Sequence, residues 1–232
     1  MSNSLSHTTT IVFGLTADPI HLGHEQAIIN GVNYCRKLGL SFNQFLLIPV
    51  FRPNLIAGKK GPVANYQQRF AMCDLVAKRL SRRLNCSIVA SSIEKQFAKA
   101  STDKSYSFNT IKFIADNQKN NKRVIPAYTG MTRLLFMVSA DHFQGRWPKF
   151  RKWFKWKELL NHTGLLINQR PGHKLNLGFI EQLKQINPEI YIVDEDNSVN
   201  VSSSELRHAS ILVREEKLSK DVFAYIIENN LY

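Results

Sequence analysis

The chain has 232 residues, 44% of them apolar, which is enough for one sizeable α/β domain and tight for two. Lysine and arginine total 31 against 18 acidic residues, so the formal charge of +13 biases the surface toward polyanions: nucleic acid, acidic membranes or small phosphorylated molecules. The start, MSNSLSHTTT, lacks a basic segment followed by an apolar core. No later stretch approaches the roughly 18 continuous apolar residues that cross a bilayer, so neither a leader nor a membrane span is expected.

In chain order, short apolar, β-branched runs predict strands at Thr10–Phe13, Phe45–Val50, Cys86–Ala90, Leu134–Val138, Gly164–Ile167 and Ile190–Val193. Apolar residues three or four apart predict helices over Gln26–Leu38, Tyr66–Leu80 and Phe108–Asp116. The polar stretches Glu94–Lys104 and Asn117–Arg123 read as surface connections. A helical segment from about residue 202 to 232 ends in an amphipathic helix, Lys220–Tyr232, carrying Val222, Phe223, Ile226 and Ile227. Strand alternating with helix predicts a Rossmann-like parallel sheet with helices on both faces, in a single domain over 1–232. Cys35, Cys73 and Cys86 are odd in number, show no CxxC spacing and sit in apolar surroundings, which predicts a reducing compartment, the cytoplasm.

The first strand runs into Gly14, Leu15, Thr16, Ala17, Asp18, Pro19, Ile20, His21, Leu22, Gly23 and His24. Ligands bind at strand ends in open parallel sheets, and a helix starting there offers unpaired N–H groups to an anion. Histidines three apart share a helix face, so His21 and His24 can meet one phosphate, and Gly23 leaves room for its approach. One capping and one packed histidine would be the plain structural alternative; the glycine-spaced pair after a strand favours phosphate. A metal reading lacks a third ligand nearby.

The second motif is Val201, Ser202, Ser203, Ser204, Glu205, Leu206, Arg207. Ser202 with Glu205 is a capping box. Ser203 and Arg207, four apart on one face, could also grip a polyphosphate with a hydroxyl and a guanidinium.

Together, DPIHLGH and VSSSELR resemble the nucleotidyltransferase superfamily, and within it the bacterial nicotinate mononucleotide adenylyltransferase family, whose opening GGTFDPIHxGH and later ISSTxIR they match. Tyr66–Cys73, Ser105–Ile111, Ser139–Phe143 followed by Trp153 and Trp156, Gln169–Gly172 and the ending YIIENNLY are similar to further stretches of that family, in order. The resemblance implies transfer of AMP from ATP to nicotinate or nicotinamide mononucleotide, by direct in-line attack with loss of pyrophosphate. It implies that His21, His24, Ser202, Ser203 and Arg207 bind ATP phosphates, with Gly14, Thr16 and Gly23 in the same pocket and His21, His24 and Arg207 catalytic. Ser107, Asp141 and Trp153 would hold the pyridine mononucleotide. Mg²⁺ would be carried mainly by ATP phosphates and water, with no protein metal site. The chain departs from the family at Leu15 and Ser139, where the family has Gly, at Ala17, where it has Phe, and at Asn109, where it has Asp.

Arg146–Leu159 places all three tryptophans among six basic residues, which in isolation suggests stacking on nucleic acid or an interfacial anchor. A ligand-lining role for Trp153 is preferred, and neither nucleic acid nor membrane is the expected partner. Lys217–Lys220 resembles the KMSKS loop of class I aminoacyl-tRNA synthetases. The chain is short for such an enzyme, so these lysines read as a solvated loop. Two alternatives stay open: a phosphopantetheine adenylyltransferase-like activity, and a non-catalytic basic nucleic-acid binder.

Overall fold

In the computed structural model, residues 8–53, 61–100, 105–119, 132–169, 172–194, 199 and 201–232 are described. The elements in order are β1 (Thr8–Leu15), α1 (Leu22–Lys37), β2 (Phe42–Pro49), α2 (Tyr66–Leu84), β3 (Ser87–Ala90), α3 (Ile93–Ala100), α4 (Ser107–Lys119) and β4 (Thr132–Ser139). There follow α5 (Trp156–Leu159), β5 (Gly164–Asn168), α6 (Leu177–Ile186), β6 (Ile190–Val193), α7 (Ser203–His208), α8 (Ile211–Lys217) and α9 (Lys220–Glu228). The strands form one parallel sheet in the order β3-β2-β1-β4-β5-β6. Ile11 stands opposite Leu135, Met137 opposite Leu166 and Ile167 opposite Ile192. The chain adds β2 and β3 on one side of β1 and β4 to β6 on the other. The loop leaving β1 therefore stands at the switch point where open parallel sheets bind ligands.

Packing groups the chain into two compact units, one made of Met1–Phe13, Asn30–Phe45 and Tyr106–Glu195, the other of Gly14–Ile29, Leu46–Ser105 and Asp196–Tyr232. In the first unit, β4 and β5 bury Leu135, Met137, Leu165 and Leu166 alongside Phe143, Phe150 and Phe179. Gly164 is required there, because a Cβ would stand 2.5 Å from the Glu189 carbonyl oxygen. In the second unit, α2 presents Met72, Cys73, Val76 and Leu80, and α9 presents Val222 and Ile226, all fully buried. Asn65 starts α2 with a capping box to Gln68, and Asn85 ends it in the left-handed conformation that a short polar side chain tolerates.

The six strands lie within three residues of the apolar runs that predict them. Glu94–Lys104 differs from its reading as a connection, because Ile93–Ala100 is helical and buries Ile93, Glu94 and Ala98. Its polarity is deceptive, since the Glu94 carboxylate accepts the Phe51 backbone N–H at 2.9 Å. Asn117 to Lys119 close α4, and the rest of Asn117–Arg123 lies outside the described residues. Lys217–Lys220 is not a solvated loop: Leu218 and Ser219 are buried, and Ser219 stands at the N-cap of α9. Among the described residues no helix is long and apolar enough to cross a membrane.

Candidate active site

At the end of β1 the chain alternates between burial and exposure: Leu15 and Ala17 are buried, while Gly14 and Thr16 face outward. Leu15 keeps ordinary strand geometry, its carbonyl accepting the Val50 N–H at 3.0 Å, so the backbone places no demand for glycine at that departure. Ala17 is 1% exposed with φ at +55°, a left-handed conformation uncommon for a residue with a Cβ, and it turns the chain from Thr16 into Asp18.

Asp18 is fully buried and anchors the loop. Its carboxylate accepts the N–H groups of Val63 and Ala64, each at 2.9 Å, and the Tyr232 hydroxyl at 2.6 Å. Beside it Arg69, 2% exposed, donates to the carbonyls of Thr16 at 2.7 Å, Val50 at 2.8 Å and Ala64 at 3.2 Å. Burial lowers the Arg69 pKa, opposed by the Asp18 charge. Arg69 is a further functional residue, beyond those expected from the motifs. Its signals were its place in the family-like stretch Tyr66–Cys73 and a cation on the apolar stripe of α2, where an arginine has to find partners inside the fold.

The loop delivers His21 to the start of α1, where its carbonyl accepts the N–H groups of His24 and Glu25. The two imidazoles lie together, with centroids 3.8 Å apart and planes tilted by 30°. The His21 backbone N–H donates to His24 Nδ1 at 3.3 Å, which in the neutral ring leaves the proton on Nε2. His21 is 2% exposed and His24 half-buried, so His24 is the ring that reaches solvent. Gly23 has an internal reason beyond ligand access: a Cβ would stand 3.0 Å from the Val199 carbonyl oxygen and 3.1 Å from the His21 ring. Behind α1, Arg79 bridges buried Glu25 at 2.7 Å and Asp221 of α9 at 3.0 Å. Burial opposes ionisation of Asp221, but the hydrogen bonds it accepts, that of Arg79 among them, hold its pKa below the usual range.

The second motif meets the same loop. Ser202 forms the capping box with Glu205, so its hydroxyl is engaged by the helix start. The Ser203 hydroxyl donates to the Pro19 carbonyl at 3.0 Å. Arg207 donates to the Asp18 carbonyl at 2.8 Å, lies 3.3 Å from the Asp18 carboxylate and reaches the Ser204 hydroxyl at 3.1 Å. Gly14, Thr16, His21, Gly23, His24, Ser202, Ser203 and Arg207 thus fall in one compact unit, held by hydrogen bonds that span most of the chain.

Ser107, Asp141 and Trp153 fall in the other unit. Asp141 sits in a single 3-10 turn after β4, with Lys149 Nζ at 3.7 Å and His142 Nε2 at 3.9 Å. Trp153 is half-buried, edge-on to His142 at 5.0 Å and packed on buried Phe150 at 5.0 Å and Phe136 at 6.2 Å. Ser107 opens α4, and its neighbours Tyr106 and Phe108 pack on Phe154, the residue after Trp153. Trp147 and Phe154 are exposed. Ser139 ends β4, and its buried hydroxyl has no hydrogen-bond partner among the described residues, an unmet polar group where the resembled family has glycine. Within Gln169–Gly172, Arg170 and Pro171 lie outside the described residues.

A sequence model of the cytidylyltransferase-like family matches residues 12–209. A protein of Solibacter usitatus named "Probable nicotinate-nucleotide adenylyltransferase" is 27% identical over 226 residues, covering 95% of this chain and 97% of that one. A Marinomonas protein of the same name is 25% identical, over 93% and 86% of the two chains. Among solved structures, Plasmodium falciparum nicotinic acid mononucleotide adenylyltransferase complexed with APC superposes with a TM-score of 0.69 at 16% identity, covering 97% of this chain and 98% of that one.

Proposed function

The chain belongs to the cytidylyltransferase-like family, and from that premise we propose that it is an adenylyltransferase joining ATP to nicotinate mononucleotide, releasing pyrophosphate. The carrying observation is the stacked His21 and His24 pair at the start of α1, with Ser203 and Arg207 tied to the loop just before it. A helix start, an imidazole N–H and a guanidinium gathered in one place match the charge distribution of a triphosphate. The names of the full-length relatives support nicotinate mononucleotide as the acceptor.

In the proposed reaction the 5′-phosphate oxygen of the mononucleotide attacks the α-phosphorus of ATP. A new P–O bond forms as the bond to the β-phosphate oxygen breaks, and pyrophosphate leaves with the electron pair. Such transfers depend on positioning and on charge stabilisation, so no protein nucleophile is needed. His24, His21 and Arg207 hold the phosphates and offset the charge that grows on the leaving oxygen. Gly14 and Thr16, outward-facing at the end of β1, line the nucleotide side, with Ser202 and Ser203 starting the second helix. Trp153 offers the pyridine ring a flat apolar face, with Asp141 and Ser107 as its polar partners.

Mg²⁺ supplies charge neutralisation when bound with ATP. Among the described residues no group of three or more His, Cys, Asp or Glu side chains could hold it, and the Asp18 carboxylate is committed to backbone N–H groups and Tyr232. We propose that the ion is carried mainly on the ATP phosphates and water. Cys35 and Cys73, free and buried, fit the reducing cytoplasm where this chemistry would run.

The test is pyrophosphate release from ATP and Mg²⁺ with nicotinate mononucleotide, nicotinamide mononucleotide or phosphopantetheine as acceptor. Release should be fastest with nicotinate mononucleotide. Release only with phosphopantetheine, or with no acceptor, would overturn the assignment.

A further inference from the structure

We propose that the Tyr232 hydroxyl is a positioning group for ATP, because its hydrogen bond to buried Asp18 sets how tightly that carboxylate holds the phosphate-facing Arg207. The inference rests on the adenylyl-transfer reading and gives a role to the last residue of the YIIENNLY ending.

The Asp18 carboxylate has about four acceptor positions, and two groups face each of its oxygens, with the one cation among them at Oδ2. Oδ1 accepts the Ala64 N–H and the Tyr232 hydroxyl, while Oδ2 accepts the Val63 N–H and faces Arg207 Nη1 at 3.3 Å. The same Nη1 donates at 2.8 Å to the Asp18 carbonyl. Arg207 is thus shared between the loop and any incoming phosphate, and the share depends on how well the carboxylate is satisfied by its other donors. With the phenol removed, Oδ1 keeps one donor in a fully buried site, and Arg207 is the mobile cation close enough to compensate. The guanidinium then turns inward, and its grip on phosphate weakens.

Tyr232 is held in place by α8, the helix that follows the one carrying Arg207. Arg214 donates through Nη1 to the Tyr232 backbone oxygen at 2.9 Å, and through Nε and Nη2 to the carbonyl of Ala209, the residue that caps α7. Burial and the adjoining Asp18 charge raise the phenol's pKa above its usual value, so it remains a proton donor across the working range.

The experiment compares wild type, Tyr232→Phe and Val222→Ala, the last a core truncation in α9 with no part in the network. Steady-state kinetics give KM for MgATP and for nicotinate mononucleotide separately, calorimetry gives MgATP affinity, and thermal melts give stability. Tyr232→Phe should raise KM and Kd for MgATP roughly tenfold, the worth of one hydrogen bond to a charged acceptor, with KM for the mononucleotide unchanged. Val222→Ala should lower the melting temperature more while leaving MgATP affinity alone. An unchanged MgATP affinity in Tyr232→Phe, or a loss confined to stability as in Val222→Ala, would overturn the inference. Should wild type release no pyrophosphate with any pyridine mononucleotide, the functional reading fails, and calorimetry with MgATP still decides the role of Tyr232.

Discussion

The loop from Thr16 to His24 and the segment from Asp141 to Trp156 are built by opposite means. The first is cross-linked by polar groups out of reach of water: Asp18 is fully buried among N–H and O–H donors, and Arg69 is spread over three carbonyls. The second is held by ring packing of Trp153 on Phe136 and Phe150, and its polar groups, Asp141 with Lys149 at 3.7 Å and His142 at 3.9 Å, are half-buried or exposed. The difference suits the ligands we propose for each. Stabilising phosphate charge requires donors fixed in advance at a few tenths of an ångström, whereas a flat ring needs an apolar face and tolerates slack.

Four measurements would break or sharpen that contrast. Replacing His24 with alanine removes a donor from the rigid loop and should lower kcat roughly 10² to 10³-fold, as loss of an oxyanion-hole donor does, with folding intact by circular dichroism. Unchanged turnover would remove His24 from the chemistry. Next, Arg69→Met leaves the Thr16, Val50 and Ala64 carbonyls without their buried donor and should cost about 3 kcal/mol in urea unfolding, with activity lost as the loop loosens. A cost under about 1 kcal/mol would mean that the loop does not depend on it.

In the aromatic segment, Trp153→Ala should raise KM for the pyridine mononucleotide about tenfold, with Trp153→Phe recovering much of it and KM for ATP unaffected. A rise in KM for ATP instead would contradict the assignment of that ring.

The smallest expected effect is a titration. Burial pushes the Cys73 thiol up to about 12 and Cys35 up to about 11, although a nearby arginine opposes each shift. A thiol whose folded pKa is raised contributes stability that is full below the unfolded value near 9. That contribution is lost as pH rises toward the folded value. Unfolding free energy should therefore fall between pH 8 and 10 by about 1 kcal/mol per thiol, and Cys73→Ala should flatten the slope. An identical slope in that variant would show that its burial is relieved before unfolding.

The sequence by itself determined the elements that have a period or a local partner. The apolar runs of the six strands, the helical spacing of α1 and α2, and the Ser202–Glu205 capping box are all set by residues a few positions apart, and each element lies within four residues of its expected bounds. The paired histidines were legible for the same reason, since a three-residue spacing dictates a shared helix face. What had no period was decided only in three dimensions. Tyr232 meets Asp18 across 214 residues, Arg69 meets Thr16 across 53, and a Cβ at Gly23 would crowd the carbonyl of Val199 at 3.0 Å. The polar run over α3 concealed a helix because Glu94 is satisfied by a backbone N–H of Phe51, 43 residues away. Buried polar groups stabilise a fold only when each finds its partner, and those partners come from wherever the topology brings the chain.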